Sequence, residues 1–261
     1  MTWYFGSDLG TTSNTQACAT SGGSFYIGRL GHGTTPTTTK QQIWYLPSGS
    51  SRAGFPYWNI EGPESSDRPS GITPEAWGSS QAKVFFSGWN KVYRSGGNLV
   101  GKGRRGKTLF GSVSWGSGGW STTNIDANRA VVNGFLSELT AEFDGTGTVG
   151  IYGNKCCELH CVLEASDWIP PVGIVVWYAN PLDVGCTEIE TDYCDGYGMP
   201  DVGGYTPMIW QYHGDPDYDI SPFAGGPVDL EWHPTTSPGY CSTSYKLVSQ
   251  CSAACFASYC D

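Results

Sequence analysis

The sequence predicts an α/β fold: a single irregular (β/α)8-type, TIM-like barrel with a disulfide-stapled C-terminal tail. Three observations point there. Strand-like and helix-like runs alternate along most of the chain, as in a parallel sheet with crossover helices. TLFGSVSWGSGGW, residues 108–120, reads as a buried strand followed by a Gly-rich loop, and NIDANRAVVNGFLSEL behind it reads as an amphipathic helix. Periodicity then fades after about Trp232, where Cys, Ser and Tyr dominate. The expected division is a barrel over residues 1–232 and a Cys-rich tail over 233–261 packed on it.

Each element has its own signal. WYFGSDLG (3–10) is a short first strand ending at Asp8. TTSNTQACATS starts a small helix with a Ser or Thr cap. SFYIGRLG (24–31) is the second strand, and Thr37 to Leu46 reads as helical. FPYWNIEG (55–62) is the third strand. A longer helix follows, capped by Thr73, with Pro74 in its first turn and Gly96 at its close. GNLVGKGRRGK is a basic, Gly-rich connector, read as a solvated loop because no Gly-Lys-Ser/Thr follows it. KTLFGSVSW is the fourth strand. Asp126 to Glu142 is the clearest helix, with Val131, Val132, Phe135, Leu136 and Leu139 on one side. GTVGIYGN (147–154) and PPVGIVVWYANP (170–181) are the fifth and sixth strands, with CCELHCVLEA (156–165) as a helix between them. PMIWQYHGDPDYDISPF (207–223) closes the pattern without resolving into separate seventh and eighth strands.

Composition limits the function. The chain has 261 residues and a formal charge of −10, with 11 Trp, 15 Tyr and 10 Phe. An acidic, lysine-poor surface disfavours nucleic acid and anionic membrane. It suits a neutral polysaccharide or oligosaccharide, which aromatic faces recognise. No apolar run is long enough to span a bilayer. The opening MTWYFGSDLG has no basic, apolar leader, which reads either as a mature form with an added Met or as a chain whose export signal was removed.

Ten cysteines in such a chain favour disulfides and an extracellular setting. Zinc is the rival reading, but no Cys-x-x-Cys pair occurs and the four histidines are scattered. No metal and no cofactor is expected. Cys186 and Cys194 bracket the short acidic loop TEIETDY and are expected to pair, a closure that restrains the unfolded chain by about 2–3 kcal/mol.

Taken in order, GSDLG, FYIGRLG, LFGSVSWGSGGW with NRAVVNGFLSEL, GIYGN, VVWYANP and IWQYH resemble the strands of the lysozyme-like barrels of glycoside hydrolase family 25. They are more similar still to bacterial "glycoside hydrolase-like" domains related to that family. The resemblance covers most of residues 1–231. It implies an Asp at the end of the first strand, here Asp8, and an Asp-x-Glu pair on the fourth strand, with the Glu as proton donor. Here the matching positions are Ser112 and Ser114. A serine hydroxyl does not protonate a leaving oxygen as a tuned carboxyl group does.

Glycoside cleavage normally uses two carboxyl groups flanking the bond. The candidates are Asp8, Glu61 and Asp219. Asp8 reads equally as a cap or as a carboxylate bound by loop amides. Glu61 sits in WNIEG, where Trp58 and Tyr57 can exclude water from it, or else it is a surface acid or the partner of Arg29. Asp219 belongs to a run with Asp215 and Asp217 that also reads as a polar or calcium loop, though an EF-hand spacing is absent. Trp58, Trp115, Trp120, Tyr178, Trp210 and Tyr212, with Trp177, stand at strand ends or loops, either as sugar-stacking faces or as core. His32, His160, His213 and His233 form no triad with a serine elbow. Three functions follow: an active muramidase-type glycosidase using Asp8 with Glu61 or Asp219, a glycan-binding barrel without catalysis, and a self-assembling extracellular structural subunit. The absent Asp-x-Glu places the two non-catalytic readings ahead.

Overall fold

A computed structural model of the chain describes residues 4–8, 25–36, 53–94, 104–105, 108–113, 118–145, 147–154, 159–163, 168–179, 209–214 and 217–221. The short first strand, β1, is Tyr4–Asp8, and β2 is Phe25–His32. A two-residue strand, β3, Thr35–Pro36, folds back antiparallel on β2, with His32 opposite Thr35. The loop between them has Gly33 at its first central position with φ of +51°, the conformation that favours glycine in tight hairpins.

The third predicted strand is β4, Ala53–Ile60. Its residues alternate between two buried clusters, as a strand covered on both faces requires. Phe55 and Tyr57 join one cluster with Ile27, Phe110, Trp177 and Ile209. Trp58 and Ile60 join the other, with the helix residues Trp77, Phe85, Val131, Val132, Phe135 and Leu136.

The predicted long helix is α1, Pro74–Arg94. Thr73 Oγ1 accepts from the Ala76 amide at 3.2 Å, as a cap should. The expected Gly96 close lies outside the described residues. The clearest predicted helix is α2, Ile125–Phe143, one residue longer at each end than its periodicity suggested. Asn124 caps it, and all five predicted apolar positions are buried. The two helices touch through glycines: a Cβ on Gly78 would overlap the Val131 carbonyl, and one on Gly134 would overlap the Glu75 carbonyl.

The remaining strands are β5 (Arg104–Arg105), β6 (Thr108–Val113), β7 (Thr148–Asn154), β8 (Val175–Ala179), β9 (Ile209–Gly214) and β10 (Asp217–Ser221). The sheet order is β3-β2-β1-β10-β9-β8-β7-β6-β4-β5, with β2 also paired to β4. Pairing is parallel from β1 through β2, β4, β6, β7 and β8 to β9. β10 runs antiparallel to both neighbours, β9 and β1.

Three expectations need correction. The basic connector is not all loop, because β5 pairs in parallel with Ala53 and Gly54. Of the helix expected over 156–165, the described residues hold α3, Leu159–Leu163. The 207–223 segment is two antiparallel strands, so a strict strand–helix alternation ends before β10. The Asp-rich run around Asp217 and Asp219 is strand, not loop. The helices expected over 11–21 and 37–46, the Cys186–Cys194 pair and the 233–261 tail lie outside the described residues.

Candidate functional site

Parallel strands place their carboxyl ends along one rim, where a fold of this class presents reactive side chains. His32 at the end of β2 is registered with Asn59, Asn59 with Ser112, Ser112 with Tyr152, and Tyr152 with Trp177. The rim therefore carries His32, Asn59 and Ser112 in adjacent positions. Glu61 follows directly after β4.

Glu61 is held on several sides. It is 7% exposed. One carboxylate oxygen accepts from His32 Nδ1 at 2.8 Å, and the other accepts from the Ser65 hydroxyl at 2.6 Å. A buried carboxylate needs such donors to offset lost hydration. Its backbone is held as firmly. The Glu61 amide donates to Gln81 Oε1 at 2.8 Å. The Glu61 carbonyl accepts from Gln81 Nε2 at 2.9 Å and from the Trp77 indole at 3.0 Å. Two α1 residues thus lock the position from beneath. Gly33 locks it from the other side, since any Cβ there would lie 2.6 Å from the Glu61 carboxyl carbon.

The loop after Glu61 is tied to the loop after β6. The Gly62 amide donates to the Gly118 carbonyl, and the Glu64 amide to the Gly119 carbonyl. Buried Asn128 on α2 fixes that second loop by bonding both the amide and the carbonyl of Ser121, and it reaches Val162 on α3 as well. A shallow groove of about 320 Å³ runs beside it, lined by Glu64, Arg68, Ile72, Ser121 and Asn124 among others.

Several expected site residues take other places. The partners of Glu61 are His32 and Ser65, not Arg29. Trp58 is 1% exposed, stacks on Phe85 with ring centres 5.3 Å apart and donates its indole N–H to the Gly33 carbonyl. It is a core residue, not an open sugar platform. Trp120 is likewise buried in the cluster that holds the helix residues, and Trp177 is fully buried in the other. Ser112 is buried on β6. Ser114 and Trp115 lie outside the described residues. Tyr178 and Trp210 are registered with each other on β8 and β9, and Tyr212 belongs to β9.

The expected acids separate along the strands. Asp8 is registered with Ile27, and Ile27 with Phe55, six positions before Glu61. At about 3.3 Å per strand residue this amounts to about 20 Å along the strands. The register sets Asp8 instead opposite Asp217 on β10, while Asp219 is opposite Gly6. His32 and Ser65 were missed as site residues. The signal for His32 was a histidine between two glycines at a strand end. Among the described residues no cluster of His, Cys, Asp or Glu is arranged to hold a metal ion.

Comparison with known proteins agrees on the fold. No protein-family model matches the chain, and no curated protein sequence does. Solved structures do. A muramidase from Trichobolus zukalii is similar over 84% of this chain and 94% of its own, at 17% identity and a TM-score of 0.51. A family GH25 lysozyme from Aspergillus fumigatus is similar over 85% and 95%, at 15% identity and a TM-score of 0.50. The modular autolysin LytC from Streptococcus pneumoniae, in complex with a synthetic peptidoglycan ligand, is similar over 84% of this chain and 46% of its own, at 14% identity and a TM-score of 0.50. Over most of its length, therefore, the chain has the fold of the family 25 glycoside hydrolases.

Proposed function

We propose that the protein is an extracellular, glycan-binding barrel of the family 25 type, with peptidoglycan-like polysaccharide as its partner, and that it lacks that family's usual hydrolysis. Closure of the sheet is part of the proposal. β2 pairs with both β1 and β4, and β1 with β10, so the pairings return to their start. Tyr57 on β4 also meets Trp177 on β8 at 5.9 Å, although two strands lie between them in the sheet. Disulfides in the regions outside the described residues are part of the same extracellular reading.

The observation that carries the non-catalytic reading is Glu61. It is an acid just beyond β4, two positions after Asn59, the register partner of Ser112, and both of its oxygens are already engaged by His32 and Ser65. A general acid contributes about 10²–10⁴-fold to such a reaction. Ser112 offers no such proton, and Glu61 is held as a scaffold group. Among the described rim residues, His32 and Asn59 offer imidazole and amide groups, which suit sugar hydroxyls.

One observation favours the alternative, hydrolysis by a carboxyl pair. Asp8 and Asp217 face each other across an antiparallel pair, where Cα atoms are about 4.5–5.5 Å apart. The test measures both outcomes: co-sedimentation with peptidoglycan, and binding and turnover on chitin- and glucan-type oligosaccharides. Binding without turnover is expected. Turnover abolished by Asp8→Asn would establish the carboxyl-pair reading, and absence of both binding and turnover would overturn glycan recognition.

A further inference from the structure

We infer that His32 is the ligand-contacting group of the rim, accepting a hydrogen bond from a sugar hydroxyl through Nε2, and that Glu61 is its positioning residue. The inference rests on the glycan-binding reading above and adds the group that makes the contact. A carboxylate only accepts hydrogen bonds, so the ring nitrogen 2.8 Å from Glu61, Nδ1, carries the proton. In the neutral imidazole Nε2 is then left as an acceptor. Oriented carboxylate–imidazole pairs fix ring tautomer and direction in this way. The two partners are unequal in exposure: the His32 side chain is 44% exposed and that of Glu61 9%. The carboxylate is thus the fixed, inner member and the imidazole the outer one. The fold also invests heavily in the inner member. Gln81, Trp77 and Ser65 hold Glu61, and Gly33 leaves it room. His32 itself stands at the carboxyl end of a parallel strand, registered with Asn59. Sugar hydroxyls are abundant donors, and an oriented ring-nitrogen acceptor is the matching group.

The test uses the full chain and an N-acetylglucosamine tetramer as probe, with calorimetric titration at neutral pH. His32→Asn keeps a donor where Nδ1 stood, so the Glu61 bond survives, but it removes the Nε2 acceptor. Its affinity is expected to fall about threefold to tenfold, the loss of one hydrogen bond, with its thermal midpoint unchanged. His32→Gln, which retains a polar group near the Nε2 position, is expected to recover part of the affinity. Imidazole ¹⁵N shifts supply a readout that a purely structural role would not move. The wild type should show a protonated Nδ1 and an unprotonated Nε2, and Glu61→Gln should blur that assignment. If the wild type binds and His32→Asn binds within about twofold of it, the inference is overturned and glycan binding stands. If the wild type does not bind the tetramer the inference is overturned, and if it does not bind peptidoglycan either, so is the glycan-binding reading. A wild-type imidazole protonated at Nε2 when neutral overturns the inference by itself.

Discussion

Gly33 shows how one residue governs the rim. Its φ of +51° costs an L-residue strain, and the space its missing side chain leaves is filled by the Glu61 carboxyl. Gly33→Ala is therefore expected to lower stability by about 1–3 kcal/mol, read as a reduced urea midpoint with unchanged m-value. It should also displace Glu61, and a loss of the His32 tautomer signature would report that directly. Little of this was legible beforehand. Glu61 was recognisable as an acid at a strand end among aromatics, but its partners come from 29 positions earlier and four later. Local periodicity carries no information about a contact of the first kind. The aromatics were legible as large apolar groups, yet whether Trp58 faces a sugar or a helix depends on Phe85, a residue on a different element.

At the scale of elements, the helix pair depends on close backbone approach. Alanine normally favours a helix over glycine by about 1 kcal/mol. At Gly134 the sign should reverse, because the new methyl would meet the Glu75 carbonyl on α1. Gly134→Ala is expected to cost about 1–3 kcal/mol by overpacking, and a gain in the denaturation midpoint would contradict this account of the α1–α2 contact. Asn128 makes a parallel case. Its buried amide satisfies Ser121 twice and Val162 once. Asn128→Leu keeps the volume but strands those groups, and each buried group left unpaired costs about 1–3 kcal/mol. Amide exchange in the 118–121 loop should accelerate in that variant. The strands and long helices were readable because their apolar positions repeat with period 2 or 3.6. β9 and β10 were not separable, because the Asp-rich stretch between two aromatic runs resembles a polar loop. Its pairing with β1, the other end of the chain, is what makes it strand.

Across the whole molecule, Trp177 joins the cluster of Ile27, Phe55, Tyr57, Phe110 and Ile209. It contacts Tyr57, Phe110 and Tyr152, residues of three different strands, and is fully buried. Trp177→Ala is expected to cost about 3–5 kcal/mol and to broaden thermal unfolding if the sheet encloses one core. A loss below about 1 kcal/mol would contradict a shared interior. The family-type fold was legible from the order of many weak motifs, because that order reflects the topology that the comparisons also find. The chemistry was read mainly as a departure that the resemblance implies: Ser112 and Ser114 where it calls for an Asp-x-Glu pair. The central claim is that this rim binds glycan without cleaving it by the usual acid. The most direct measurement is release of new reducing ends from peptidoglycan that retains the bound protein, followed over time beside an Asp8→Asn control. The account predicts retention with no release above the protein-free background. Sustained release by the wild type that disappears in the Asp8→Asn variant would contradict it.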